Sequence, residues 1–189
     1  LGAVATAMAA LRQPDLFRAL ILIEPVFLSP AVLRKLAAIA SVGDLLALPL
    51  VKTALKRRDQ WDSRQEAFAH FRQKSVFDRL TDEALWDYVK YGLTNDNGNL
   101  HLTYRPEWEA HIYALQVNDM WDAIPKISQP TLALRGKESD TIMPEAWGLW
   151  QQIQPEALFT EIEGAGHLLP LEKPAVVARA IDLFVEDLE

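Results

Sequence analysis

The run RALILIEP, residues 18–25, sets five apolar side chains in succession and closes them with an acid and a proline. A stretch of strand length that is apolar toward both faces belongs inside a sheet covered on both sides, the usual setting of parallel strands. A second such run is PTLALRG, residues 130–136, and a third is ALFTEIEG, residues 157–164, which alternates more, as an edge strand does. Between them lies PEAWGLWQQI, Pro144–Ile153, with proline in the first turn and Glu145 beside it, where a helix N-terminus favours both. Residues 173–188 then place Val176, Val177, Ala180, Ile181, Phe184 and Leu188 at helical spacing. Strand, helix, strand, helix predicts parallel pairing through crossover helices, so the fold class is α/β.

The chain opens with Leu1-Gly2 and a small-residue helix over 3–11 that Pro14 ends before Asp15. LGAVATAMAAL is too short to cross a bilayer and has no basic stretch before it, so it reads as a buried helix rather than a targeting signal. A helix whose first N–H groups have no visible cap implies a fragment or a trimmed numbering. Residues 31–108 interrupt the α/β pattern. They hold no strand-like run and at least three helical stretches: 31–58, one opened by the capping box Ser63-x-x-Glu66, and one opened by Thr81 with Asp82 and Glu83. This reads as a helical insertion. Its aromatics, Trp61, Phe68, Phe71, Phe77, Trp86, Tyr88 and Tyr91, are expected mainly to fill the interface between insertion and sheet, with a few lining an apolar pocket. TNDNGNLHL, residues 94–102, reads as turn chemistry.

Composition removes several functions. With 189 residues, 50% hydrophobic and 24% charged, the chain suits one soluble domain with a smaller subdomain. A formal charge of −7, with no basic cluster beyond Lys56-Arg57-Arg58, argues against nucleic-acid binding. Zero cysteines exclude disulfides, thiolate metal sites and a cysteine nucleophile. His70, His101 and His111 lack ligand-like spacing, so no metal is expected, and no cofactor motif is present. No membrane association is expected, and a cytoplasmic location is.

Ligands of open α/β sheets bind beyond the carboxyl ends of the strands. Four candidates stand there: Glu24 after the first run, Glu138 and Asp140 after the second, and His167 in EGAGHLLPLEKP after the third. An acid meeting a histidine fixes its tautomer and stabilises its cation, while the other ring nitrogen acts as base. Such a pair usually serves a nucleophile. The residues alone leave open which acid it is.

Taken in order, LGA with its alanine-rich helix, QPDLFRALILIEP, a helical stretch, YRPEWEA, QPTLALRGKESDTIMPEA and GAGHLLPLEKP resemble the α/β-hydrolase superfamily, in particular capped members close to esterases and epoxide hydrolases. The resemblance runs from Leu1 to the C-terminus. It implies the C-terminal part of a hydrolase sheet with a helical cap: 1–30 as a core segment, 31–108 as cap, and 109–189 as the core segment carrying the acid and histidine loops. It assigns the catalytic histidine to His167 and the acid to Asp140, with Glu138 next and Glu24 more distant, since some members place the acid one strand earlier.

In that family the nucleophile sits in a G-x-S-x-G elbow, and the residue after it gives a backbone N–H to the oxyanion hole. Leu1-Gly2 resemble the end of that elbow. Leu1 would then supply the oxyanion N–H, and the nucleophile would be the residue before it, in a missing N-terminal part. Ser29, Ser41, Ser63, Ser75, Ser128 and Ser139 read as caps and turn residues. The leucine after the nucleophile resembles serine enzymes, which implies hydrolysis of a small ester with an apolar group; an aspartate there would imply an epoxide. The alternative is a non-catalytic binding or scaffold protein that keeps the fold. The substrate's identity and the oligomeric state stay open.

Overall fold

The computed structural model describes residues 1–38, 45, 47–96, 98–114 and 120–188. In chain order its elements are α1 (Gly2–Arg12), β1 (Leu20–Ile23), α2 (Pro30–Ala37), α3 (Pro49–Leu55), β2 (Gln60–Trp61), α4 (Arg64–Arg72), α5 (Asp82–Gly92), β3 (Leu93–Asp96) and β4 (Asn99–Leu102). There follow α6 (Pro106–Ala114), α7 (Met120–Ala123), β5 (Thr131–Gly136), α8 (Pro144–Ile153), β6 (Leu158–Ile162), α9 (Leu169–Glu172) and α10 (Pro174–Glu186). They form two compact units, Leu1–Leu33 with Asn118–Glu189, and Arg34–Val117.

In the first unit the three apolar runs become one parallel sheet in the order β1-β5-β6. Leu20 pairs with Thr131 and Ile23 with Leu134, while Leu132 pairs with Leu158 and Gly136 with Ile162. Side chains alternate across a strand, so each run feeds two cores. Leu20, Leu22 and Ala133 pack with Val4, Ala7 and Ala10 of α1 and with Trp147 and Trp150 of α8. Leu132, Leu134 and Ile162 pack on the other face with Ala165, Leu169, Val177 and Phe184, and Ile21 and Ile23 rest against that cluster. The alanines of α1 are what allow its backbone to approach β1. Each fully buried leucine contributes about 1.5–3 kcal/mol, so loss of either layer would unmake the unit. β5 is buried along its whole length, whereas Leu158, Thr160 and Glu161 of β6 are exposed, as the more alternating run predicts.

The second unit departs from the sequence reading. Residues 93–102 form a hairpin, and β4 also pairs with β2, giving an antiparallel sheet in the order β2-β4-β3. Asp96 pairs with Asn99, and Gly98 takes φ 93°, a value that glycine adopts without strain. The turn residues were visible in the sequence, but the flanking strands, polar on one face, carried no apolar run. The helices start as their caps dictate: Ser63 Oγ accepts from Glu66 N at 3.1 Å, and Thr81 Oγ1 from Ala84 N at 3.2 Å. The expected helix over 31–58 is present as α2 and α3; residues 39–44 and 46 lie outside those described.

α6 packs on α3 through Ala110, Val51 and Ala54, which places it with this unit rather than with the sheet segment beginning at 109. The aromatics pack chiefly on one another. Trp61 meets Phe71 at 5.0 Å, and Phe71, Phe77 and Tyr88 lie within 4.9–5.4 Å of each other, with edge-on or tilted rings. Among the described residues no helix is long and apolar enough to cross a membrane.

Candidate active site

β1 ends at Ile23, and the N–H of Glu24 still donates to Leu134 O at 2.9 Å, so the backbone of Glu24 is tied to the sheet. There the chain turns sharply: Glu24 has φ 48°, in the left-handed region, which costs a non-glycine residue about 1–2 kcal/mol. Such a conformation persists only where the surroundings fix it. Here they do so through the side chain.

The carboxylate of Glu24 is 3% exposed. Its Oε1 accepts from Gly136 N at 2.6 Å, and its Oε2 accepts from Ser139 Oγ at 2.6 Å. Oε2 also faces His167 Nδ1 at 3.2 Å. Among the described residues no Lys or Arg pairs with Glu24, so hydrogen bonds compensate the buried charge. His167, whose side chain is 37% exposed, reaches toward solvent. A carboxylate opposite Nδ1 assigns the proton to that nitrogen and leaves the lone pair on Nε2. Nε2 has no hydrogen bond to any described residue.

Two loops hold this arrangement. The histidine loop follows β6, where Gly164 takes φ 66°. Glu172 clamps it from α9: Oε2 accepts from Gly166 N at 2.6 Å and Oε1 from Leu168 N at 3.1 Å, so the carboxylate spans the N–H groups on either side of His167. The loop after β5 is anchored by Arg135, which is buried, pairs with Glu161 and donates from Nε to Ile142 O at 2.7 Å. The loops also touch directly. Glu138 N donates to Ala165 O at 3.0 Å, and Lys137 pairs with Glu163, whose hydrogen bond and charge hold the ammonium above its usual range.

The predicted residues fall as follows. His167 and Glu24 are brought together; Asp140, the acid assigned by resemblance, is not. Asp140 is exposed and accepts from Thr141 Oγ1 at 3.3 Å, without a hydrogen bond to His167. Glu138 is also exposed, and its Oε1 accepts from Gly164 N at 3.3 Å. The physical reason is the course of the loop after β5. Ser139 is its buried position and faces Glu24, which leaves its two acidic neighbours outside. Leu1 is the exposed N-cap of α1, and its carbonyl accepts from Ala5 N at 3.1 Å.

By its sequence context Ser139 is a turn residue. Its Oγ accepts from Thr141 N at 3.2 Å, as in such a turn, but it also donates to Glu24, which nothing in the sequence signals. Among the described residues no three His, Cys, Asp or Glu side chains gather in a way that could hold a metal ion. The histidines read as structural are dispersed within the second unit: His70 lies beside Trp61, His101 beside Arg105, and His111 Nδ1 against Glu107 O.

Residues 1–180 match the sequence profile of the Alpha/beta hydrolase family. No curated protein matches the chain. Among solved structures, E-2-(acetamidomethylene)succinate hydrolase is similar with a TM-score of 0.73 and 17% identity, over 98% of this chain and 63% of that one. An α/β-hydrolase from Novosphingobium aromaticivorans matches with a TM-score of 0.72 and 20% identity, over 97% of this chain and 62% of that one. An esterase from Mycobacterium tuberculosis matches with a TM-score of 0.66 and 18% identity, over 97% of this chain and 59% of that one. The chain thus spans about three fifths of the length of these structures.

Proposed function

The chain belongs to the alpha/beta hydrolase family, and from that premise we propose that the protein containing it hydrolyses a small ester with an apolar group through a nucleophile–His167–Glu24 triad. The observation that carries the reading is the 3.2 Å approach of Glu24 Oε2 to His167 Nδ1, with Nε2 left unbonded among the described residues. In this reading Nε2 takes the proton of the nucleophile as it attacks the ester carbonyl, and then returns it to the leaving alkoxide. Water, deprotonated by the same nitrogen, then attacks the acyl group now carried by the nucleophile, and Nε2 returns that proton to the nucleophile as the acid leaves. Glu24 holds the imidazole in its Nδ1–H tautomer and stabilises the imidazolium formed in each step.

The nucleophile of this reading is taken to be supplied from outside residues 1–189, on the resemblance of Leu1-Gly2, which open α1, to the last two positions of a G-x-S-x-G elbow. The backbone N–H of Leu1 is then one oxyanion donor. The esterase and the other hydrolases among the structural matches agree in reaction class with this reading. Asp140 has no place in it.

The test is made on the full-length gene product with short-chain aryl esters. Glu24→Gln keeps the side chain's shape but removes the charge, and kcat is expected to fall by about 10³–10⁴, the scale of an acid-to-amide change in a catalytic triad. Asp140→Asn is expected to stay within about twofold, as for a solvated surface acid. A costly Asp140→Asn beside a silent Glu24→Gln would return the acid to Asp140. The 189-residue polypeptide by itself is expected to show no saturable turnover.

A further inference from the structure

We propose that Ser139 is a positioning residue for this site: its hydroxyl, turned by the loop's own N–H groups, fixes the oxygen of Glu24 that faces His167. The proposal rests on the reading of His167 as the base, and extends it to a residue that touches neither substrate nor nucleophile.

A serine hydroxyl has one proton and two lone pairs. Thr141 N at 3.2 Å and Ile142 N at 3.5 Å approach Ser139 Oγ from its accepting side. Its single proton is then directed to Glu24 Oε2, 2.6 Å away. A glutamate side chain has three rotatable bonds, and one hydrogen bond would leave the carboxylate free to swing about the last of them. Two donors remove that freedom. Gly136 N holds Oε1 and Ser139 Oγ holds Oε2, so the plane of the carboxylate is set before the imidazole meets it.

One donor ends β5 and the other stands in the loop that follows it, and the buried Arg135, bonded to Ile142 O at 2.7 Å, keeps that loop still. The other charged groups around the pair are engaged elsewhere: Glu172 on the backbone of the histidine loop, Glu161 on Arg135, Lys137 on Glu163, and Glu138 on Gly164 N. Asp140 is exposed. Ser139 is therefore the side chain that orients Oε2. It is 6% exposed, so water does not readily replace it.

Two measurements on the full-length gene product test this. With an aryl ester as probe, Ser139→Ala should lower kcat about 10- to 100-fold at unchanged KM, the scale of a lost hydrogen bond to a charged group. Ser139→Thr, which keeps the hydroxyl, should restore most of it, and Ser139→Cys, close in size with a weaker donor, should fall between. In a Glu24→Gln background Ser139→Ala should cost less than about twofold further, because the group it orients is gone. Second, the His167 Nδ1–H proton resonance should broaden through exchange with water in Ser139→Ala and stay sharp in Ser139→Thr. Equal losses in the wild-type and Glu24→Gln backgrounds, or an unaltered Nδ1–H line in Ser139→Ala, would overturn the assignment. The resonance needs no turnover, so an absence of ester hydrolysis in the wild type would refute the functional reading while leaving the role of Ser139 to the spectrum.

Discussion

Gly136 lies so close beneath the histidine loop that a Cβ at its position would stand 2.4 Å from the carbonyl oxygen of Ala165 and 2.6 Å from that of Gly166. Those atoms are backbone, so they can yield only by moving the loop that carries His167. The same glycine donates its N–H to Glu24. Gly136→Ala is therefore expected to destabilise the fold by about 1–3 kcal/mol, the usual range for overpacking. It should also lower turnover beyond that loss, since the imidazole and the carboxylate are pushed apart together. Urea unfolding and aryl-ester kinetics on the full-length protein check both; a variant with unchanged kcat would show that the loop adjusts without disturbing the pair.

Glu172 gives a separate handle on the histidine, because it acts on the backbone to either side of the ring. Glu172→Ala leaves the N–H groups of Gly166 and Leu168 without their acceptor. The expected cost is about 1–3 kcal/mol of stability, with a fall in kcat at nearly constant KM. Glu172→Gln keeps one oxygen and should lie between. Amide exchange at Gly166 and Leu168 reads the mechanism directly, and protection retained in Glu172→Ala would discount the clamp.

The sheet was legible from the sequence because burial on both faces leaves its mark as unbroken apolar runs, such as Ala19 to Ile23 and Leu132 to Leu134. The hairpin of β3 and β4 was not, since strands with one polar face and only Leu93, Leu100 and Leu102 turned inward resemble turn-rich linker. At the site, His167 stood out by its loop of small residues. Its partner did not: Glu24, Glu138 and Asp140 all follow strands, and choosing between them depends on which way one loop turns after Gly136. That turn is set by Arg135, a buried cation whose partners Glu161 and Ile142 lie at other points of the chain. Such a constraint is tertiary and leaves no local pattern. The positive φ of Glu24 is hidden for the same reason, being held by contacts with Gly136 and Ser139 rather than by residue type.

The second unit should weaken in mild acid through His70. Partial burial first, then the positive charges of Lys74 and Arg58, push its imidazole below the usual 6.5, with Glu66 opposing. A depressed folded value means that the folded state prefers the neutral ring, so this contribution is fully present above 6.5 and is lost as pH falls from there through the folded value. His70→Gln cannot titrate. Between about pH 7 and pH 5 the melting temperature of the wild type should therefore fall more than that of His70→Gln. Parallel slopes in the two proteins would refute the contribution. The interval stays above the range of Glu66, whose carboxylate is itself held below 4.5 by its hydrogen bonds to Asp62 N and Arg58.

Leu20 N and Glu24 N donate to Pro130 O and Leu134 O at 2.9 Å, so one edge of β1 is satisfied by β5. Parallel pairing alternates, which turns the N–H and C=O groups of Ile21 and Ile23 to the other edge, where no described strand pairs with them. An apolar strand with an open edge is a template for further pairing. The 189-residue polypeptide should accordingly associate through this edge as its concentration rises. Amide exchange separates the two edges: at low concentration Ile21 and Ile23 should exchange much faster than Leu20 and Leu22, and association should slow the odd pair alone. Uniform protection from Leu20 to Ile23 in a dilute monomer, with no concentration dependence in size-exclusion chromatography, would mean that the edge is already covered and would refute the expectation.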